Sequence, residues 1–120
     1  IEHETALIGY VGRMEAVKNV SILPQLLENV KRSIDAELLL VGDGPQALEI
    51  ADQVRERHLV DSVKWLGWRS DIARLLRTLD VLVLPSICEG CPYILLEAMA
   101  AGCPIVASNF DDVLPEGRDL

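Results

Sequence analysis

Aromatic residues are scarce in this chain, with two Trp, two Tyr and one Phe among 120 residues. Its core must therefore be aliphatic, drawn from Leu, Val, Ile and Ala. Basic residues are outnumbered as well: 11 Lys and Arg face 19 Asp and Glu, a formal net charge of −8. So acidic a surface repels polyphosphate unless cations are gathered in one place, which excludes nucleic acid as a general partner. By the same token, a local basic pair is informative here. No run reaches the roughly 18 consecutive apolar residues of a membrane span. The stretch poorest in charge, Gly90 to Phe110, still contains Glu97 and is broken by Gly102 and Pro104. Cysteine is limited to Cys88, Cys91 and Cys103. An odd count without secretory features favours reduced thiols and a cytoplasmic setting. No signal-peptide pattern is legible at the start, and an opening on Ile1 directly before a strand reads as a piece of a longer chain.

What is present suits one soluble globular domain over residues 1–120: half the residues are hydrophobic and a quarter charged. The apolar runs are short, rich in β-branched residues and apolar on both faces. Ala6 to Val11, Glu37 to Val41, Val63 to Leu66, Val81 to Leu84 and Ile105 to Ala107 read as strands of a buried parallel sheet. Helical patterns separate them. Pro45 opens one helix with Leu48, Ala51 and Val54 on its inner face. Ser70 N-caps another, carrying Ile72, Leu75, Leu76 and Leu79 at i, i+3, i+4 and i+7. The helix after Lys18 contains Pro24, so it starts near Ser21 or bends there. A last helix runs from about Tyr93 to Ala101 and stops at Gly102. The βαβαβαβαβ order predicts an α/β, doubly wound, Rossmann-like sheet, whose ligands sit at the carboxyl ends of the strands.

Two acids and two bases fall at that edge. Glu97 is the one charge in the apolar run Ile94 to Ala100, and a buried carboxylate is costly unless partnered. It either lies on the solvent face or faces the cleft and accepts hydrogen bonds from ligand hydroxyls. Glu89, eight residues earlier, is a loop acid that the same crevice would receive. Gly90 beside it permits close backbone approach, and the helix N-terminus that follows favours phosphate. Gly12-Arg13 closes the first strand, and Lys18 follows five residues on. The two bases are either plain surface cations or a diphosphate clamp, Arg as a fork and Lys as a point charge.

The run Glu89-Gly90-Cys91-Pro92-Tyr93-Ile94-Leu95-Leu96-Glu97-Ala98-Met99-Ala100-Ala101-Gly102-Cys103-Pro104 resembles the Glu-x7-Glu motif of the group 1 (family 4) retaining GT-B glycosyltransferases. Gly12-Arg13 with Lys18, Leu40-Val41-Gly42-Asp43-Gly44-Pro45, Leu66-Gly67 and Asp80 through Pro85-Ser86 resemble the same family in order and spacing. The resemblance implies the C-terminal, donor-binding half of a GT-B fold. It implies that Arg13 and Lys18 hold the diphosphate of a UDP- or GDP-sugar, that Glu97 accepts the ribose hydroxyls, and that Glu89 with the backbone of Gly90, Cys91 and Pro92 addresses the sugar. The loop from Gly67 to Arg69 would lie near the base. No metal and no further cofactor is expected. An acceptor-binding N-terminal lobe lies outside this chain, so the isolated half should bind donor without turnover and self-associate. Polysaccharide assembly, with the full enzyme peripheral to the cytoplasmic membrane face, is the implied setting.

Rival signals remain. Gly42-Asp43-Gly44 with Ala47 fits the dinucleotide fingerprint G-x-G-x-x-A after a strand, with Asp61 at a plausible distance, although Pro45 is out of place in it. Cys88-Glu89-Gly90-Cys91 is a C-x-x-C before a helix, as in thiol redox sites. Zinc would need four ligands, and besides Cys103 only the isolated His3 and His58 are left. A sugar-nucleotide epimerase of the same fold, or a nucleotide-binding module without turnover, is the alternative function.

Overall fold

Runs that are apolar on both faces satisfy themselves only between two layers of helix, and the chain builds that arrangement. The computed structural model describes residues 5–85 and 93–107. In it, β1 (Ala6–Val11), β2 (Ala36–Val41), β3 (Val63–Gly67), β4 (Val81–Leu84) and β5 (Ile105–Ala107) form one sheet in the order β3-β2-β1-β4-β5. Every pairing is parallel. The helices among the described residues are α1 (Leu23–Lys31), α2 (Ala47–Glu56), α3 (Ile72–Thr78) and α4 (Tyr93–Ala101).

Strand alternation sends side chains into two separate cores. Ile8, Tyr10, Leu38 and Leu40 point to one face and pack with Leu23 and Leu27 of α1 and Ile50 and Val54 of α2. Val11, Val41, Leu82 and Leu84 point to the other and pack with Leu76 of α3, Leu79 and Ala98 of α4. The chain winds outward from β1 in one direction and then from β4 in the other, so the order reverses between these two strands. Asp80 secures that pair at its amino end: its Oδ2 accepts the Leu7 N–H at 2.7 Å, and its own N–H donates to the Leu7 carbonyl at 2.9 Å.

The element boundaries differ from expectation where loops override propensity. The chain after Lys18 makes two 3-10 turns, Ala16–Lys18 and Val20–Ile22, joined by Asn19 in the left-handed conformation. Helix α1 then begins at Leu23, close to the expected start near Ser21, with Pro24 in its first turn, where a missing N–H is harmless. Pro45 stands two residues before α2, which starts at Ala47, and the Gln46 N–H at the N-cap position donates to the Met14 carbonyl at 2.9 Å. Its inner face is Ala47, Ile50 and Val54, while Leu48 is 80% exposed. Asp71, not Ser70, is the N-cap position of α3, and Leu79 lies just beyond that helix although it stays buried. Helix α4 keeps its expected bounds but is covered on one side only: Tyr93, Leu96 and Met99 are exposed, as is Val106 on β5.

The turn after β2 runs against the turn after β1. A Cβ on Gly42, whose φ is +129°, would stand 2.0 Å from the Gly12 carbonyl oxygen, and one on Gly44 would stand 2.6 Å from the Met14 backbone. Gly42→Ala is accordingly expected to destabilise the fold by roughly 2–4 kcal/mol, the sum of left-handed strain and a backbone clash. A thermal or urea melt checks this, and a stability equal to the unsubstituted chain would contradict the close approach.

Candidate functional site

In a sheet wound both ways, the loops leaving the two strands at the reversal diverge and open a crevice at their carboxyl ends. Here those strands are β1 and β4. The loop after β1 carries Gly12, Arg13 and Lys18. The one after β4 leads from Pro85 into residues 86–92, so Cys88, Glu89, Gly90, Cys91 and Pro92 lie outside the described residues, as does His3.

The β1 loop is fastened from several sides. The Gly12 N–H donates to the Val41 carbonyl, the Met14 N–H to the Asp43 carbonyl, and the Gly42 N–H to the Gly67 carbonyl, each at 2.9 Å. Three successive strand ends are thus stitched together through main-chain atoms. From below, the phenol of Tyr10, itself buried, donates to the Arg13 carbonyl at 2.5 Å. The Arg13 guanidinium rises from this platform with its side chain 52% exposed, and its Nε meets the Glu15 carboxylate at 3.1 Å. Lys18 closes the following 3-10 turn, half-buried, with its N–H donating to the Glu15 carbonyl at 2.9 Å. The structure therefore places the two cations on one short loop at the reversal point. Sequence patterns did not single out Tyr10. Its signal was a lone phenol in an aliphatic strand, three residues before the arginine whose carbonyl it holds.

The loop after β3 is equally constrained. Gly67 adopts φ +65°, with open space where a side chain would stand. Arg69 folds back onto Asp71 in a bidentate pair, Nε to Oδ1 at 3.0 Å and a terminal nitrogen to Oδ2 at 2.8 Å. This loop carries the chain from the sheet onto the face that holds α3 and α4. On that face Glu97 lines a hollow of about 230 Å³ together with Ala73, Arg77, Ala100 and Ala101. Glu97 is exposed, so the burial cost that drew attention to it in an apolar run does not arise. The helix is apolar on its outer side as well, which made the acid look enclosed.

The dinucleotide signal loses its footing. The space beside Gly42 and Gly44 that a dinucleotide would need is filled by the backbone of Gly12 and Met14, so these glycines serve loop packing. Cys103 is buried, donates weakly to the Pro104 carbonyl at 3.5 Å, and burial pushes its thiol pKa up, so it is an inert filler. His58 follows the C-cap of α2 in the left-handed conformation, at the opposite end of that helix from the loop of Arg13.

A model of the family described as glycosyl transferases group 1 matches residues 5–119. The chain belongs to this family. A Bacillus subtilis protein named as the glycosyltransferase EpsF is 41% identical over 110 residues, which is 91% of this chain and 29% of that protein. Among solved structures, the Anabaena protein HepE, crystallised with UDP and glucose, superposes with a TM-score of 0.77 at 28% identity, covering 86% of this chain and 29% of its own. The C-terminal domain of the group 1 glycosyltransferase LpcC from Francisella tularensis superposes with a TM-score of 0.78 at 24% identity, over 92% of this chain and 61% of that one. The fold is that of the C-terminal half of a GT-B glycosyltransferase, and the chain spans under a third of EpsF and HepE. No helix among the described residues is long and apolar enough to cross a membrane.

The Arg69 guanidinium holds the Asp71 carboxyl below the usual aspartate range. A folded pKa lowered in this way means that the pair stabilises the loop above the ordinary aspartate pKa and is lost as pH falls through the lowered value. Carboxyl NMR titration should show Asp71 protonating at lower pH than an unpaired aspartate, and Arg69→Ala should return it to the ordinary range. An Asp71 that titrates normally in the unsubstituted chain would contradict the bidentate pair.

Proposed function

We propose that this glycosyltransferase chain is the donor half of a retaining enzyme that transfers a sugar from a UDP- or GDP-sugar. The observation that carries the proposal is the placement of Arg13 and Lys18 on one rigid loop at the sheet's reversal point, in a chain of net charge −8. Two fixed cations there suit a diphosphate. When the glycosidic bond breaks, the sugar carbon takes on positive character and the leaving diphosphate gains negative charge, so cations already oriented beside it lower the barrier. Glu97 would accept the ribose hydroxyls across the hollow that it shares with α3. Glu89 and the backbone of Gly90, Cys91 and Pro92 would address the donor sugar, and the Gly67 loop would border the base. UDP is favoured by the HepE complex with UDP and glucose. The acceptor would bind to a lobe outside this chain, in an enzyme working on polysaccharide at the cytoplasmic side of a membrane. The uncovered apolar side of α4 supports self-association of this half in isolation.

Calorimetric titration with UDP, GDP, ADP and NAD tests the proposal. Binding of UDP or GDP without added divalent metal is expected. Arg13→Ala and Lys18→Ala should weaken the nucleoside diphosphate much more than the free nucleoside, and added salt should weaken it too. Glu97→Ala, checked by a thermal melt, should cost more than about 1 kcal/mol of affinity through lost charge-assisted bonds. Preference for NAD, or equal losses with nucleoside and diphosphate, would overturn the assignment.

A further inference from the structure

We propose that two copies of this chain pair through the open edge of β3, as antiparallel strands about a two-fold axis at Trp65. The inference is independent of the donor site and concerns a surface other than α4. Among the described residues, β3 ends the sheet, with β2 on one side and no strand on the other. A strand so placed presents backbone N–H and C=O groups that another strand can satisfy. The surface beside this edge is apolar. Val63 and Trp65 turn to the α2 face of the sheet, where they line an open hollow of about 420 Å³ with Ala51, Val54, Arg55 and Val60. Trp65 is 43% exposed and Val60 59% exposed. In a chain with so few aromatics, an indole on an edge strand offers a partner a large apolar surface to cover.

The edge residues select the partner and its register. Opposed residues of an antiparallel pair lie on the same face, so a strand that pairs with its own copy has one residue facing itself. The strand carries a bulge at Leu66, because Trp65 is level with Leu40 and Gly67 with Val41. A charge and a bulge both discourage indiscriminate edge pairing, so few registers survive. Centred on Lys64, the pairing would oppose two ammonium groups, and centred on Gly67 it would oppose Lys64 to Arg69, both unfavourable. Centred on Val63, it would set the Asp61 carboxylate against the Trp65 indole. Centred on Trp65, the two indoles meet on the α2 face and the aliphatic stem of Lys64 lies over the Leu66 bulge. That register also brings the turn of Asp61, Val60–Ser62, alongside the Arg69 loop of the other copy, and two-fold symmetry repeats the contact. Asp61 and Arg69 are both exposed. A guanidinium has five N–H donors, so the bidentate pair with Asp71 does not exhaust Arg69. An unrelated strand would satisfy the backbone alone, whereas a second copy matches the indole and both charged ends.

The test is sedimentation equilibrium of the 120-residue chain over a range of concentrations. Met99→Glu serves as background, so that association through the uncovered side of α4 is suppressed and what remains reports on β3. A monomer–dimer equilibrium is expected to persist in this background. Trp65→Glu, which sets two carboxylates face to face at the axis, should raise the dimer dissociation constant about tenfold or more, and Trp65→Phe should keep the dimer. Asp61→Lys lies outside the strand and turns an attraction to Arg69 into a repulsion. It should weaken the dimer about fivefold at low salt and less at high salt. Far-ultraviolet circular dichroism checks that each variant is folded, and if Trp65→Glu is not, Asp61→Lys decides. A monomer at every concentration in the background, or a dimer that neither Trp65→Glu nor Asp61→Lys weakens, would overturn the proposal.

Discussion

The close approach of three strand-end turns, made through main-chain atoms, is the constraint on which the rest of this structure depends. The turns after β1, β2 and β3 exchange amide hydrogen bonds from Gly12 to Val41, Met14 to Asp43, Gln46 to Met14, and Gly42 to Gly67. Strand ends leave backbone donors and acceptors without ladder partners, and burying them unpaired is costly. Here each turn satisfies the next. The contact is possible because glycines stand where a Cβ would collide with the neighbouring backbone. Main-chain atoms do the holding between these turns, and the Arg13 side chain pairs with Glu15 above them. Arg13 stands exposed on this platform, and Lys18 is half-buried.

Beneath the platform, the sheet divides its side chains between two cores, one closed by α1 and α2, the other by α3 and α4. This division follows from chain winding. Helices that succeed β1 and β2 cover one face, and those that succeed β3 and β4 cover the other, each by a right-handed crossover. The reversal puts a gap between the loops of β1 and β4, and the basic loop falls there. An ion pair from Arg57 to Glu28 joins α1 to α2 on the first face. On the second face, α4 offers its inner side to the core through Ala98 and leaves Tyr93, Leu96 and Met99 in solvent. A helix of this composition is unusual on a free surface.

Much of this was legible in the residue order. Five apolar runs separated by helical periods specify a parallel sheet, because both faces of each strand must be covered. Gly12-Arg13, Lys18 and Gly67 fall at strand ends as soon as the strands are placed. Legibility stopped where one segment acts on another at long sequence range. Pro45 is a good helix opener by local preference, yet α2 starts two residues later, at Ala47, and packs through Ala47, Ile50 and Val54, which leaves Leu48 in solvent. Glu97 looked enclosed because its neighbours are apolar, and that inference fails when a helix is covered on one side only. Gly42 and Gly44 imitated a ligand-binding fingerprint because loop packing against a neighbouring backbone and close approach of a ligand ask for the same residue.

The sequence by itself therefore determined the α/β class, the strand and helix order, the donor-half resemblance and the loops that hold the charged groups. All of these are encoded locally, in periodicity, turn residues and short motifs. Only the tertiary structure decided how those loops share an edge. It revealed that Tyr10 props the Arg13 carbonyl, that Asp80 pins β1 to β4, that Arg69 is committed to Asp71, and that Trp68 is left exposed beside them. Each of these is a partnership between a side chain and an atom placed by chain winding, and no local preference specifies where winding will bring that atom.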